Sequence, residues 1–314
     1  MSGPEEAALR FGLLVPTLMD TEPCGMTRLA EAAAIGDEYP FETLWVGDHL
    51  LFHTPILDST VAVSALAVMT RRVKVGTNVL QLPLRRPLDV AKSFATISHV
   101  SGGRVILGVG VGGEFEPEWQ GAGVDAGQRG ARCDEAIEFL HHYWRGEHAE
   151  GRFNTSPGLP VMPGPHGGRV PIWVGGRSAP AIRRAARCDG SLNMWVSTRR
   201  YAEIRDEIRR RRDEAGETAE FTFGLELLTC IDDDREVARR ETRAALTRFG
   251  LDPDGCERYT AFGKPEDVAE YVSAYARAGV QHVSFYLPGF GWSEQARRLA
   301  TEVLPLLGAK ESSR

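Results

Sequence analysis

Thr43-Leu44-Trp45-Val46-Gly47-Asp48-His49-Leu50-Leu51-Phe52 is the stretch on which the reading of this chain turns. Its first four residues are β-branched, aromatic or aliphatic, the composition of a short buried strand. Gly47 ends the run, and an acid and an imidazole follow at once. A polar pair at the exit of an apolar strand is where α/β proteins place their chemistry. Asp48 and His49 are therefore candidate catalytic residues.

Outward from this strand the same pattern repeats. Strand-like runs occur at 11–15, 73–76, 104–109, 170–174, 189–195, 221–231 and 280–287. Helical runs alternate with them. The segment 59–69 is Ala- and Val-rich behind an N-cap at Asp58 or Ser59, and Pro87 suits the first turn of a helix to about His99. Residues 128–144 place Ala136, Ile137, Leu140 and Trp144 at helical spacing, the aspartates at 232–234 open a helix to Phe249, and 294–307 closes the chain. Eight β-α units in 314 residues predict a single (β/α)8 barrel rather than an open sheet. The Gly- and Pro-rich segment 146–169 has no periodicity and is expected to be an excursion or lid, since loops of that length usually serve or cover a site.

Composition narrows the function classes. The apolar fraction of 42% and charged fraction of 25% are those of a globular domain, and no apolar run approaches the ~18 to 20 residues needed to span a bilayer. A net charge of −6 argues against nucleic acid as a partner. The arginines at 209–212 follow Asp206 and Glu207 at helical spacing, as on a solvated face. Five scattered cysteines form no zinc or disulfide pattern. With no export signal in the first ten residues, the expectation is a cytoplasmic enzyme without a membrane partner.

In such a barrel the strand exits share one face. Collected there are Asp48 and His49, then Thr77, Asn78 and Val79, then Gly110 and Gly112, then Gly175, Gly176, Arg177 and Ser178, and finally Met194, Trp195 and the residues from Tyr286 to Pro288. Two Gly-rich loops, one imidazole and apolar walls suit a flat, phosphate-bearing cofactor. The run from Gly108 to Gly113 fits the G-x-G-x-x-G spacing, but Pro117 and the acids at 114, 116 and 118 oppose a dinucleotide site; the glycines are expected to let a ligand ring approach the backbone. The pair Gly175-Gly176 ahead of a helix, with Arg177, reads as an anion site or as an ordinary β-α turn. His49 and His53 are four apart, but Pro55 opposes a helical metal site, and none is expected.

The order Leu44 to His49, Val75 to Val79 with Pro83 and Pro87, Ser101 to Gly110, Gln128 to Glu135 and Pro171 to Gly176 resembles the bacterial luciferase-like monooxygenase superfamily. That resemblance runs from Phe11 to Asp189 and, more weakly, from Gly263 to Phe285. It implies a modified (β/α)8 barrel that uses reduced flavin, either FMN or the deazaflavin F420, on a small organic substrate. It also implies a non-prolyl cis peptide near Thr77-Asn78 supporting the isoalloxazine, a phosphate site at Gly175, Gly176 and Arg177, a functional histidine at His49, and a homodimer formed through the early helices. Asp48-His49 resembles the F420-using branch, which places F420 ahead of FMN; the segment from Leu80 to Pro83 resembles FMN monooxygenases, which would need a separate flavin reductase. Trp195 and Phe290 are then expected as substrate wall. The other readings are a metal-assisted barrel hydrolase using His49, His53 and an acid, and a catalytically silent barrel that binds flavin or a partner.

Overall fold

All eight strand runs form, and they close into a ring. The computed structural model describes residues 8–18, 25–113, 115–287 and 291–309. Its barrel strands are β1 (Arg10–Val15), β2 (Thr43–Val46), β3 (Lys74–Thr77), β4 (Val105–Gly110), β5 (Ile172–Gly175), β6 (Gly190–Asn193), β7 (Thr222–Ile231) and β8 (His282–Tyr286). Neighbours pair in chain order and in parallel, and β8 returns to β1. The fold is a (β/α)8 barrel, as expected.

The helices follow their sequence signals closely. Asp58 caps Ser59–Met69, its carboxylate accepting from the Val61 amide, and Asp234 caps Arg235–Arg248. The helix Pro87–Ser101 runs past its expected end and stops at Gly102, whose φ of 66° costs glycine nothing. The final stretch is less regular than its periodicity predicts. It is helical over Trp292–Arg298, passes through a π turn and ends in a 3-10 turn containing Pro305, which has no N–H to continue the ladder. Among the described residues, no helix is long and apolar enough to cross a membrane.

Residues 146–169 form an excursion, as expected, set away from the strand exits. They connect the helix Arg129–Arg145 to the start of β5 and so begin at the end of the barrel opposite the strand exits. They contain a small hairpin, His148–Glu150 against Thr155–Pro157. Glu135 clamps it by accepting from the Arg152 and Phe153 amides and from Asn154 Nδ2. None of these residues lines the cavity at the barrel mouth.

The barrel interior is filled by an aromatic plug. The Trp45 ring lies 5.3 Å from that of Trp173 and 5.7 Å from the His282 imidazole. Trp45 Nε1 donates to His282 Nε2 at 3.1 Å. An indole N–H can only donate, so Nε2 accepts and the neutral His282 carries its proton on Nδ1, which faces Glu42 Oε2 at 3.3 Å. Burial lowers the His282 pKa, which keeps the ring neutral. Burial also works to raise the Glu42 pKa, but the His282 hydrogen bond with Arg10 and Lys74 outweighs it and holds the carboxylate at about 2.

Three glycines make room for this plug. A Cβ on Gly12 would stand 2.7 Å from Trp45 Nε1, one on Gly76 2.7 Å from the Trp45 ring and one on Gly190 2.8 Å from Trp173. Real side chains do not approach that closely, and the neighbours are packed on all sides. Gly76→Ala should therefore destabilise the protein by about 1–3 kcal/mol, read as a lower urea midpoint at unchanged slope. A midpoint equal to the parent's would show that the plug is loosely packed.

Candidate active site

The strand exits surround a cavity of about 610 Å3. Leu14, Val79 and Leu192 rest on the aromatic plug from above and form the cavity floor. The chain leaves β3 at Thr77, passes through a cis Asn78–Val79 peptide, one bond later than expected, and pairs Leu80–Gln81 with the end of β4.

That extension explains the glycines. A Cβ on Gly108 would overlap the Thr77 carbonyl oxygen at 1.9 Å, one on Gly110 would meet Val79 at 2.5 Å, and one on Gly112 would overlap Gln81 Oε1 at 1.9 Å. Gly175 is likewise 2.9 Å from Val79 by the same measure. Gly110, Gly112 and Gly175 line the cavity, and their bare backbone also accommodates residues 77–81 of the chain itself. Thr77 is turned away from the cavity, and its hydroxyl donates to the Gly108 carbonyl at 2.7 Å.

Asp48 and His49 part company here. The Asp48 side chain is fully buried and taken up on all sides: Oδ1 accepts from Ser59 Oγ and Arg85 Nη2, both at 2.6 Å, and Oδ2 accepts from the Gln81 amide at 2.9 Å. It ties the loop after β2 to the loop after β3, and it does not orient His49. That role falls to Glu118, which sequence reasoning missed. Glu118 sits in the short helix Glu116–Gly121, whose first turn contains Pro117. Its Oε2 lies 3.0 Å from His49 Nδ1, and Oε1 accepts from the Leu50 and Leu51 amides. Gln81 Nε2 adds hydrogen bonds to both Glu118 oxygens and to the Asp48 carbonyl. Nδ1 faces two groups, Glu118 Oε2 at 3.0 Å and Gln81 Nε2 at 3.1 Å; a carboxylate only accepts, so the Glu118 contact is a hydrogen bond when the neutral ring carries its proton on Nδ1. His49 lines the cavity, and its Nε2 is left with a lone pair. Such a group can take a proton from, or return one to, a ligand oxygen.

Aromatic rings extend from that imidazole. Phe52 stacks on His49 at 3.9 Å, His53 lies 3.9 Å beyond Phe52, and Phe115 meets both edge-on. Across the barrel, Glu226 on β7 also lines the cavity. Burial pushes its carboxyl up to about 8, opposed by one hydrogen bond from Asn78. Asn78 Nδ2 also reaches Ser284 Oγ at 3.4 Å.

The expected anion site is partly committed to the fold. The Gly176 amide donates to the Leu192 carbonyl at 3.1 Å, and Ser178 lies outside the cavity, its Oγ capping the helix Ala179–Ala185. Arg177 lines the cavity but directs Nη1 at the carbonyls of Met194 and Trp195. Trp195 lines the cavity as expected, with a φ of 56° that is costly for a non-glycine residue and is found where a site over-determines the backbone. Phe290 lies outside the described residues. Among those described, no three histidine, cysteine or carboxylate side chains converge as a metal site requires.

The family signature described as luciferase-like monooxygenase matches residues 9–254. The chain belongs to the luciferase-like monooxygenase family. An F420-dependent glucose-6-phosphate dehydrogenase of Nakamurella multipartita is 28% identical over 96% of this chain and 97% of its own. In structure, the monooxygenase RslO1 of Streptomyces bottropensis matches with a TM-score of 0.82 at 19% identity, covering 95% of this chain and 99% of that one. The FMN-bound oxygenating constituent of 3,6-diketocamphane monooxygenase from Pseudomonas putida matches at 0.78 and 17%, covering 95% and 98%. These luciferase-like relatives and neighbours are all oxidoreductases.

Removing the Glu118 carboxylate would take the acceptor from the buried Gln81 side-chain amide and from the backbone amides of Leu50 and Leu51, which lie on an exposed loop that water can reach. Glu118→Ala should cost about 1–3 kcal/mol of stability, the range for one buried polar group left unpaired, with water recovering the loop amides. Equilibrium denaturation measures this, and a loss under about 0.5 kcal/mol, the range of an ordinary surface change, would mean that Glu118 does not organise the loop.

Proposed function

We propose that this chain is an oxidoreductase that binds a flat redox cofactor at the barrel mouth, F420 ahead of FMN, and uses His49 as the acid–base group toward a small organic substrate. The observation that carries the reading is the cavity-lining imidazole whose Nδ1 is fixed by buried Glu118. A fixed Nδ1–H sets the tautomer and aims Nε2, as proton transfer at a bound alcohol or carbonyl oxygen requires.

The residues fit such a cofactor. Leu14, Val79 and Leu192 give an apolar floor for a flat ring, and Arg28 and Arg177 put positive charge on the cavity lining for an anionic tail. When bound, F420 supplies hydride transfer, whereas FMN supplies oxygen activation. The chain's own part is to hold the ring, exclude water with Phe52 and Phe115, and move a proton at His49 Nε2. F420 comes first because curated relatives matched over nearly the full length are F420-dependent. The Asp48 carboxylate is engaged by Ser59, Gln81 and Arg85. A homodimer through the early helices is part of this reading, supported by Val61 and Val68, each 69% exposed on Ser59–Met69.

Titration of the purified protein with F420 and with FMN, each oxidised and reduced, tests the cofactor. F420 should bind and FMN should not; FMN binding alone would move the reading to an oxygenase served by a separate flavin reductase. Stoichiometric zinc with affinity for neither would point to the hydrolase instead. In the cofactor-loaded enzyme, His49→Ala should retain binding and lose about 10²–10⁴-fold in kcat. Unchanged turnover would remove His49 from the chemistry, and a parent that binds cofactor but turns nothing over would be the silent barrel.

A further inference from the structure

The apolar cavity floor contains one acid that no step above uses. Glu226 projects from β7 in register with Ser284 of β8, and the cavity reaches it. Asn78, at the exit of β3 on the opposite side of the ring, spans the barrel interior to hydrogen-bond Glu226 and Ser284. Glu226 makes no ion pair among the described residues. The other charged or titratable side chains on the cavity lining are Arg28 from the first helix, Asp48, His49 and His53 from the loop after β2, Arg177 after β5 and Tyr286 at the end of β8. Asp48 is neutralised by Arg85, and Arg177 is directed at backbone carbonyls. None of these groups contributes to holding Glu226 as an anion; its Asn78 hydrogen bond alone opposes the cost of burial.

A carboxyl in that position is a donor as well as an acceptor. We propose that Glu226 is a neutral acid that positions the cofactor ring, donating its carboxyl hydrogen to a carbonyl oxygen on the ring's edge above the floor of Leu14, Val79 and Leu192. This rests on the cofactor reading above. It assigns Glu226 to binding, not to proton transfer, and it gives the site a preference for a flat, carbonyl-bearing heterocycle whose edge carries no full negative charge at that point. Ionisation of Glu226 would replace a donor with a repelling anion, so the site would weaken as the carboxyl, placed at about 8, loses its proton.

The protonated state is tested first without any ligand. Its folded-state pKa is raised, so the native protein binds more protons than the unfolded chain between about 4.5 and 8, and stability falls as pH rises through that window. The gap in Tm between Glu226→Gln, which has no proton to lose, and the parent should widen in favour of the variant from the lower to the upper limit and stay constant above it. A gap that does not change with pH would overturn the neutral acid. The binding role is then read as the Kd of oxidised F420 and of FMN by fluorescence. The parent should lose about tenfold in affinity in going one pH unit above the carboxyl pKa, Glu226→Gln should be flat after correction for the cofactor's own titration, and Glu226→Ala should bind weakly at every pH. Equal affinity in the parent and Glu226→Ala would sink this proposal while leaving the cofactor reading intact. Failure of the parent to bind either cofactor would sink both.

Discussion

A single indole N–H sets the terms for the interior of this barrel. Trp45 carries a donor into a space closed to water, and leaving it unpaired would cost about 1–3 kcal/mol. His282 Nε2 accepts it, and that choice fixes the tautomer of His282 and its bond to Glu42. The two tryptophans and the imidazole then demand volume, and Gly12, Gly76 and Gly190 provide it by having no side chain. The cavity floor is the upper surface of this plug. The height and flatness of the site are thus decided one layer below it, by groups that touch no ligand.

Two carboxyls at the mouth show how differently one scaffold can treat the same functional group. Glu118 is met by donors from three directions: a histidine ring, two backbone amides and a glutamine amide. Glu226 is met by one. The difference comes from the local chain. Glu118 arrives on a short helix beneath an open loop whose amides need acceptors, while Glu226 stands on a strand whose amides are consumed by its neighbours in the sheet. Environment decides which carboxyl accepts and which can donate.

The barrel was legible in the sequence because its strands are buried on both faces and read as short apolar runs between helices with clear caps. The strand exits were legible for the same reason, which is how His49, Asn78, Gly175 and Trp195 were placed on one face. Their partners were not. Glu118 carried only a weak signal, one of three acids after a glycine run with Pro117 opening a helical turn, and its relation to His49 exists only once β4 lies beside β3. Asp48 looked functional because it adjoins His49, yet alternate side chains leave a chain in opposite directions, and Asp48 points into the loop packing. The glycines signalled close approach, and part of what approaches is the chain itself at residues 77–81. Segment 146–169 was read by length and composition alone; which end of the barrel it serves follows from its place after a helix and before a strand.

The contacts among Gln81, Glu118 and His49 carry a consequence for descent. Each of the three presents to the others a group that no common replacement can supply: an amide that donates twice, a carboxylate that accepts from several sides, a ring with one nitrogen spoken for. Exchange of any one leaves the remaining two with mismatched polarity in a closed space, so single steps away from the trio pass through a less fit intermediate. The trio is therefore a heritable unit, and lineages that abandon the histidine would be expected to have rewritten positions 81 and 118 as well, while the aromatic mouth beside it stays free to drift.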